Sequence, residues 1–474
     1  MLGIVSYGSY IPYRRLTRET AAQAFGKKGG KGAKAVAYCD EDSLTMAVAA
    51  ALRAEMKEGA APVKAVYAAG CSAPYTEKQS STGIAAVLDL PTDIRTADFA
   101  GSLRAGSAAV LSAMDYLDGH EDSVMVTMSD CRLGAADGKF ETELGDGAAA
   151  FLLGKENVLA EIEAAVSFSR DMLDEWRGAE DRFLRNWDVR YANSELYSPM
   201  VRAAADALFA KTGTGPADYD KLVLYGHDDK NRLAMAAKLG FAPEQTAPSF
   251  FSEIGNTGNA AAAIMLCHVL DEAKPGEKIL LLAYGEGCDA FSITVTPRIE
   301  SFRRRETVLK QLAHKDDSLP YGKYLKWKQM VVTEPQKRPA QERSALPDYQ
   351  RNFRKNHAFY GSRCTICGTP VFPPQRVCVH CHSIDKMEPY RFYDKEARIR
   401  TFTVDGLSLS LDSPNILVVI EFEGGGKMMT YLTDCDKDEV RVGMKVRPSY
   451  RKMFEAGGVR TYFWKVVPAE EGEA

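Results

Sequence analysis

The sequence lacks a long apolar run. Nowhere in its 474 residues does an uncharged apolar stretch approach the ~18 residues of a membrane-spanning helix, so no membrane partner is expected. It also lacks a leader-like start. MLGIVSYGSYIPYRR meets Pro12 and two arginines without an apolar core or cleavage site, and a cytoplasmic location is expected. An excess of positive charge is missing too: 60 Lys and Arg against 64 Asp and Glu give a formal net charge of −4. Such a chain has no field to gather a polyanion, which excludes nucleic acid as a partner. The small-residue run GSLRAGSAA (101–109) does not end in the GK[ST] of a phosphate loop, which removes nucleotide hydrolysis. Six of the ten cysteines (Cys39, Cys71, Cys131, Cys267, Cys288 and Cys435) are scattered singly and read as reduced thiols, not as a disulfide framework.

What is present is an ordinary globular balance, 45% hydrophobic and 26% charged, in a length suited to two to four domains at roughly 100–200 residues each. Up to about residue 300, β-rich runs (VKAVYAAG, DSVMVTMSD, AAAFLLG, DKLVLYG, EKILLLAYGEG) alternate with helical runs (SLTMAVAAALRAEM, GSAAVLSAMDYL, PMVRAAADALFAKTG, GNAAAAIMLCHVLDEA). This alternation, with near-continuous apolar strands, predicts an α/β fold whose sheets are covered by helices on both faces. The stretch from Gly106 through DSVMVTMSD resembles the stretch from Gly258 through ILLLAYGEG: a glycine-started helix, an acidic turn, then a strand ending in polar or glycine residues. A duplicated α/β unit follows, with halves at 1–165 and 166–300. Residues 301–350 are charged, helical and then Pro-punctuated, and read as a linker. A metal-binding segment at 351–390 leads into a run of short strands at 391–474, expected to form a small barrel of OB type.

The run CTICGTPVFPPQRVCVHC places Cys364, Cys367, Cys378 and Cys381 as two CxxC pairs. Each pair suits a tight turn with both thiolates on one side, and together they complete a tetrahedral shell for structural Zn2+. Four protein ligands close the shell, leaving no place for a reactive water. His380 and His382 are expected on the surface.

Candidate chemistry sits at strand ends. His227 follows the run KLVLYG, Asn256 lies in SEIGNTGNAAAA before a helix, and Cys71 closes the run VYAAG. Each has a plain structural explanation as well: a strand-end histidine, a helix cap, a buried thiol.

Taken together, YGSYIPYRRL, DEDSLTMAVAAA, AAGCSAPYTEKQSSTG, RAGSAAV, GDGAAAFLLG, YGHDDKNRLAMAAKLGF and IGNTGNAAAA with its continuation to FSITVTPRI resemble the 3-hydroxy-3-methylglutaryl-CoA synthase and ketoacyl-synthase III branch of the thiolase superfamily. SRCTICG, PPQRVCVHC and LTDCDKDEVRVGMKV are similar to the zinc-ribbon and OB-fold domains found beside thiolase-like enzymes. The resemblance implies a duplicated thiolase fold layered α/β/α/β/α, a homodimer, and acyl-CoA as substrate. It implies further that His227 and Asn256 stabilise a thioester enolate or oxyanion, and that Lys230 holds CoA phosphates. Fixed donors at such an oxygen are each worth on the order of 3 kcal/mol. Two positions depart from the pattern. Leu103 falls where acyl-enzyme-forming members carry a nucleophilic cysteine, and Cys71 falls on the general-acid/base glutamate. A leucine forms no thioester. Either the acyl-enzyme step is gone, or Cys71 or Ser102 supplies the nucleophile, Ser102 with His227 as its base. The expected activity is therefore carbon–carbon bond formation or cleavage on a CoA thioester, of aldol or Claisen type. The alternative is a non-catalytic acyl-CoA-binding scaffold that docks a partner thiolase.

Overall fold

The computed structural model describes residues 1–54, 60–302, 306–334, 342–408 and 410–469. Parts of the predicted linker (303–305 and 335–341) and the end of the predicted barrel segment (470–474) lie outside the described residues. The chain divides into two compact units, one of residues 1–37, 42–84 and 91–321, the other of 38–41, 85–90 and 322–474.

Nine strands form the sheet of the first unit: β1 (Gly3–Tyr10), β2 (Val63–Ala69), β3 (Arg95–Phe99), β4 (Ser123–Asp130), β5 (Gly147–Gly154), β6 (Ala160–Ser169), β7 (Lys221–Leu224), β8 (Lys278–Tyr284) and β9 (Gly287–Val295). Their order is β7-β8-β9-β6-β1-β5-β4-β2-β3. The two halves repeat one plan. In the first, β2 pairs in parallel with β3 and β4, then β4–β5 and β5–β1 are antiparallel. In the second, β7–β8 is parallel, then β8–β9 and β9–β6 are antiparallel. The place of a third strand in the second half is held by a single parallel bridge, Leu222 to Thr246. The halves meet edge to edge where Gly3 and Ile4 of β1 pair with Glu161 and Ala160 of β6.

Helices α1 (Ser43–Arg53), α2 (Ala105–Asp118), α3 (Ser198–Thr212), α4 (Asp229–Leu239) and α5 (Asn259–Glu272) complete the layers. Helix α1 packs on β1, β4 and β5, and α3 on β6, β8 and β9. Between the half-sheets lie α2 and α5, with α5 touching strands of both halves. The result is the expected α/β/α/β/α layering. Strands β4 and β5 are buried along their whole length, which is why SVMVTMSD and GAAAFLLG are continuous small or apolar runs instead of alternating ones. Local chemistry sets the helix ends: Asp42 and Thr45 form a capping box on α1, and Gly213 at φ 68° stops α3.

The first part of the predicted linker belongs to the first unit. Val308–Ala313 is helical and buries Val308, Gln311 and Leu312. Gln311 Oε1 accepts hydrogen bonds from the Ile11 amide at 3.0 Å and from Arg53 at 2.7 Å. Its charged neighbours hide this in the sequence.

In the second unit, strands β10 (Tyr360–Cys364), β11 (Pro370–Val371) and β12 (Met387–Arg391) make a small sheet in the order β11-β10-β12. Strands β13 (Ala397–Asp405), β14 (Asn415–Phe422), β15 (Lys427–Leu432), β16 (Lys445–Ala456) and β17 (Val459–Pro468) close a barrel in the order β13-β14-β15-β17-β16. Trp464, stacked on Phe359 with ring centroids 5.0 Å apart, fills this unit's core with Phe392 and Phe422.

Candidate active site

The parallel pairs β2/β4 and β7/β8 point their carboxyl ends at one region, the place where open α/β sheets bind ligands. Cys71 follows β2, Arg132 follows β4, His227 follows β7 and Tyr284 ends β8. They line a cavity of about 470 Å³ together with Ser102 and Leu103 from the turn before α2, and Asp174 to Arg177 from the long connection after β6.

A chain of charges forms the floor of this cavity. His227 Nε2 lies 2.7 Å from Asp174 Oδ2, and the Tyr284 hydroxyl donates to the same oxygen at 2.8 Å. The other ring nitrogen, Nδ1, sits 3.3 Å from Glu175 Oε1 as an ion-pair contact. Glu175 Oε2 accepts from Arg132 Nη1 at 3.0 Å, and Arg132 Nη2 donates to Asn256 Oδ1 at 3.4 Å. Burial alone would pull the His227 pKa down, but Glu175 and then Asp174 overcome it and raise it above its ordinary 6.5. For Asp174, burial favours the neutral acid, yet the hydrogen bond and charge of His227 and the Tyr284 hydroxyl hold it below the usual carboxylate value. His227 is thus held between two carboxylates that favour its protonated form.

Cys71 belongs to a second cluster. Asp130, fully buried, accepts four hydrogen bonds: the Cys71 amide at 2.6 Å and the Ser72 hydroxyl at 2.8 Å on Oδ1, and the Asn259 amide and side chain at 2.9 and 3.0 Å on Oδ2. Asn259 also donates to Cys71 Sγ at 3.4 Å and to the Ser102 carbonyl at 3.1 Å, while the thiol donates to that carbonyl at 3.3 Å. Burial, then the Asp130 charge, push the Cys71 thiol up to about 12. It is a thiol at neutral pH, without the lowered pKa that a cysteine nucleophile requires. Gly258, at φ +62°, lets the chain pass under this cluster: a Cβ there would lie 2.5 Å from Asp130 Oδ2 and 2.9 Å from Arg132 Nε.

The remaining expected residues divide. Asn256 does not share the large cavity with His227. Its Nδ2 donates to the Tyr225 hydroxyl at 3.1 Å, and its Oδ1 accepts from the Gly258 amide at 3.0 Å. The tight turn into α5 and the buried Tyr225 consume the carboxamide. The space that Asn256 and His227 both line is a void of about 20 Å³, room for one water. His227 and Asn256 therefore meet at this small void and not in the 470 Å³ cavity. Nor does His227 serve Ser102, whose Oγ accepts from the Arg104 amide at 3.1 Å while both imidazole nitrogens face carboxylates. Lys230 is exposed in the first turn of α4, outside the cavity lining. Of the aromatics on the connection after β6, Trp176 lines the cavity, whereas Trp187 and Tyr191 are 78% and 59% exposed.

Hydroxymethylglutaryl-CoA synthase of Methanosphaera stadtmanae is 33% identical over 341 residues, covering 69% of this chain and 98% of that one. The enzyme of the same name from Methanosarcina barkeri is 35% identical over 342 residues, covering 69% and 98%. The chain belongs to the hydroxymethylglutaryl-CoA synthase family. Among solved structures, an HMG-CoA synthase complexed with CoA matches with a TM-score of 0.59 at 19% identity, over 69% of this chain and 89% of that one. MvaS in complex with 3-hydroxy-3-methylglutaryl coenzyme A matches with a TM-score of 0.61 at 19% identity, over 72% and 94%. These two establish the shared fold. Residues 209–296 fit the 3-oxoacyl-[acyl-carrier-protein] synthase III C-terminal model. Residues 351–385 fit the ChsH2 rubredoxin-like zinc ribbon domain, and 390–451 the ChsH2 C-terminal OB-fold domain. This HMG-CoA synthase relative thus joins a thiolase fold to a zinc ribbon and an OB-fold.

In the ribbon, the Sγ atoms of Cys364, Cys367, Cys378 and Cys381 all lie within 4.8 Å of one another. Cys364 to Cys381 is 3.6 Å and Cys367 to Cys378 is 3.5 Å. These distances are far too long for disulfides and close to the roughly 3.8 Å edge of a zinc–sulfur tetrahedron with 2.3 Å bonds. The four thiols fit a tetrahedral metal, and His380 and His382 stand outside the group.

The charge chain makes a titration prediction. With its folded pKa raised, protonation of His227 contributes stability that is fully present below 6.5 and is lost as pH rises through the folded value. An NMR titration of the His227 ring should give a midpoint above 6.5, and Glu175→Gln should lower it. A wild-type midpoint at or below 6.5 contradicts the ion-pair assignment.

Proposed function

We propose that the chain binds an acyl-CoA thioester in the 470 Å³ cavity and makes or breaks its Cα–Cβ bond by aldol chemistry, through a thioester enolate and without an acyl-enzyme. One observation carries this. Leu103 occupies the turn before α2, where the family resemblance places the nucleophile, and the nearby Cys71 thiol is pushed up to about 12. A Claisen route through an enzyme thioester needs a thiolate; an aldol route needs only a base and a place for negative charge.

The cavity supplies both. Asp174 is ionised, and its Oδ2 is held by His227 and Tyr284, which fixes the carboxylate. In the cleavage direction Asp174 takes the proton of the β-hydroxyl, the Cα–Cβ bond breaks, and its electron pair moves into the thioester as an enolate. The leaving fragment departs as a carbonyl compound. Protonated Asp174 then returns its proton to Cα, giving the shortened acyl-CoA, so no outside oxidant, reductant or acid is consumed. The Arg132 guanidinium, with the His227 ring whose protonated form the flanking carboxylates favour, provides the positive field for the enolate oxygen. Exposed Lys230 is assigned to the CoA phosphates outside the cavity.

The same reading takes the protein as a cytoplasmic homodimer, as the family resemblance implies, and the four ribbon cysteines as ligands of one structural Zn2+. Bound there, zinc supplies a closed thiolate shell that holds the ribbon's hairpins and takes no part in the reaction.

Two measurements test these assignments. Incubation with a labelled β-hydroxyacyl-CoA should release a carbonyl compound and a shortened acyl-CoA with no protein adduct by intact mass. Asp174→Asn should slow the release by ~10²–10⁴-fold. An adduct on Cys71 or Ser102 rejects the aldol route, and tight binding without turnover favours the scaffold alternative. Metal analysis should find one zinc per chain, lost in Cys378→Ser; a full zinc load in that variant contradicts the four-thiolate site.

A further inference from the structure

A second cavity, about 40 Å³, lies between α2, α5 and the inner faces of both half-sheets. Its wall is apolar, with Val110, Met128, Phe151, Ala263 and Leu281 among its lining residues. The few polar groups at its edge are committed elsewhere. Ser107 Oγ donates to Asp289 at 2.5 Å, the Tyr284 hydroxyl to Asp174 at 2.8 Å, and the Asn259 carboxamide to Asp130 at 3.0 Å. The lining is thus mostly apolar, and a slot of this kind accepts small apolar groups.

Leu103 and Tyr284 line both this slot and the 470 Å³ cavity, so they are the partition between them. Tyr284 is fixed by its bond to Asp174, with its ring edge-on to that of Tyr197 at 4.9 Å. Leu103 is the apolar half of the partition, held only by packing. Its neighbours Ser102 and Arg104 are anchored: Ser102 Oγ accepts the Arg104 amide at 3.1 Å, and Arg104 donates to the Phe168 carbonyl at 2.6 Å. The backbone of the turn is thus fixed, and the size of side chain 103 decides whether the two spaces communicate.

We infer that Leu103 sets substrate chain length: the linear acyl chain of the bound CoA ester ends against its isobutyl group, and shortening that group admits a longer chain into the slot. This rests on the acyl-CoA reading above and adds a specificity-determining residue to it.

Equilibrium titration of the full chain with CoA and a series of linear saturated acyl-CoAs tests the assignment. Wild type should gain nothing from methylenes beyond a short chain. Leu103→Ala should bind the next homologues about fourfold tighter per added methylene, the worth of burying one such group. Leu103→Phe should lose the longest ester that wild type accepts. Adding Ala263→Leu to Leu103→Ala refills the slot and should cancel the gain, a result that general loosening of the fold does not give. If wild type binds CoA esters and the folded Leu103→Ala and Leu103→Phe variants keep its chain-length profile, the assignment of Leu103 fails alone. If wild type binds no CoA ester, the acyl-CoA reading fails, and this inference with it.

Discussion

The site depends on one arrangement: the His227 ring held between the carboxylates of Asp174 and Glu175, with Arg132 on the far side of Glu175. Both carboxylates draw the imidazole toward its protonated form, and Glu175 is paired on its other side with Arg132. Removing one partner of such a set leaves a buried charge uncompensated, at a cost of ~3–5 kcal/mol for a buried pair. The set joins the connection after β6, the end of β7, the turn into α5 and the end of β4. The same balance fixes the chemistry available, an Asp174 carboxylate beside the His227 ring and the Arg132 guanidinium at one cavity.

The second cluster works by the opposite logic. Asp130 saturates both its oxygens with donors from the β2 end and the α5 start, tying the two halves of the duplicated fold across their central helices. Burial, and then this carboxylate beside it, push the Cys71 thiol up. A residue that looks nucleophilic by type thus has surroundings that oppose the thiolate, which supports the proposed route without a covalent intermediate.

Much of this fold is legible in the sequence. The unbroken apolar runs of β4 and β5, the repeat starting at Gly106 and Gly258, and the two CxxC pairs each carry a period or spacing with one dominant physical explanation. The site is legible only in part. His227 and Cys71 stand at strand ends, where the sequence marks them. Asp174 and Glu175 lie in an irregular connection whose acidic residues look like any solvated loop, and only the fold brings them against His227. The dense apolar run ILLLAYGEG conceals that Tyr284 turns its hydroxyl into the cavity. For Asn256 the motif is plain, but the direction of its carboxamide is set by Tyr225 and the Gly258 amide, contacts that no local pattern encodes.

The central claim is that the Asp174–His227 pair generates a thioester enolate without first acylating the protein. Solvent isotope exchange reads this directly. Incubated in D2O with a simple acyl-CoA and no carbonyl partner, the wild-type protein should carry deuterium into the position next to the thioester, and Asp174→Asn should not. Binding of that ester with no exchange above the uncatalysed rate would contradict the account.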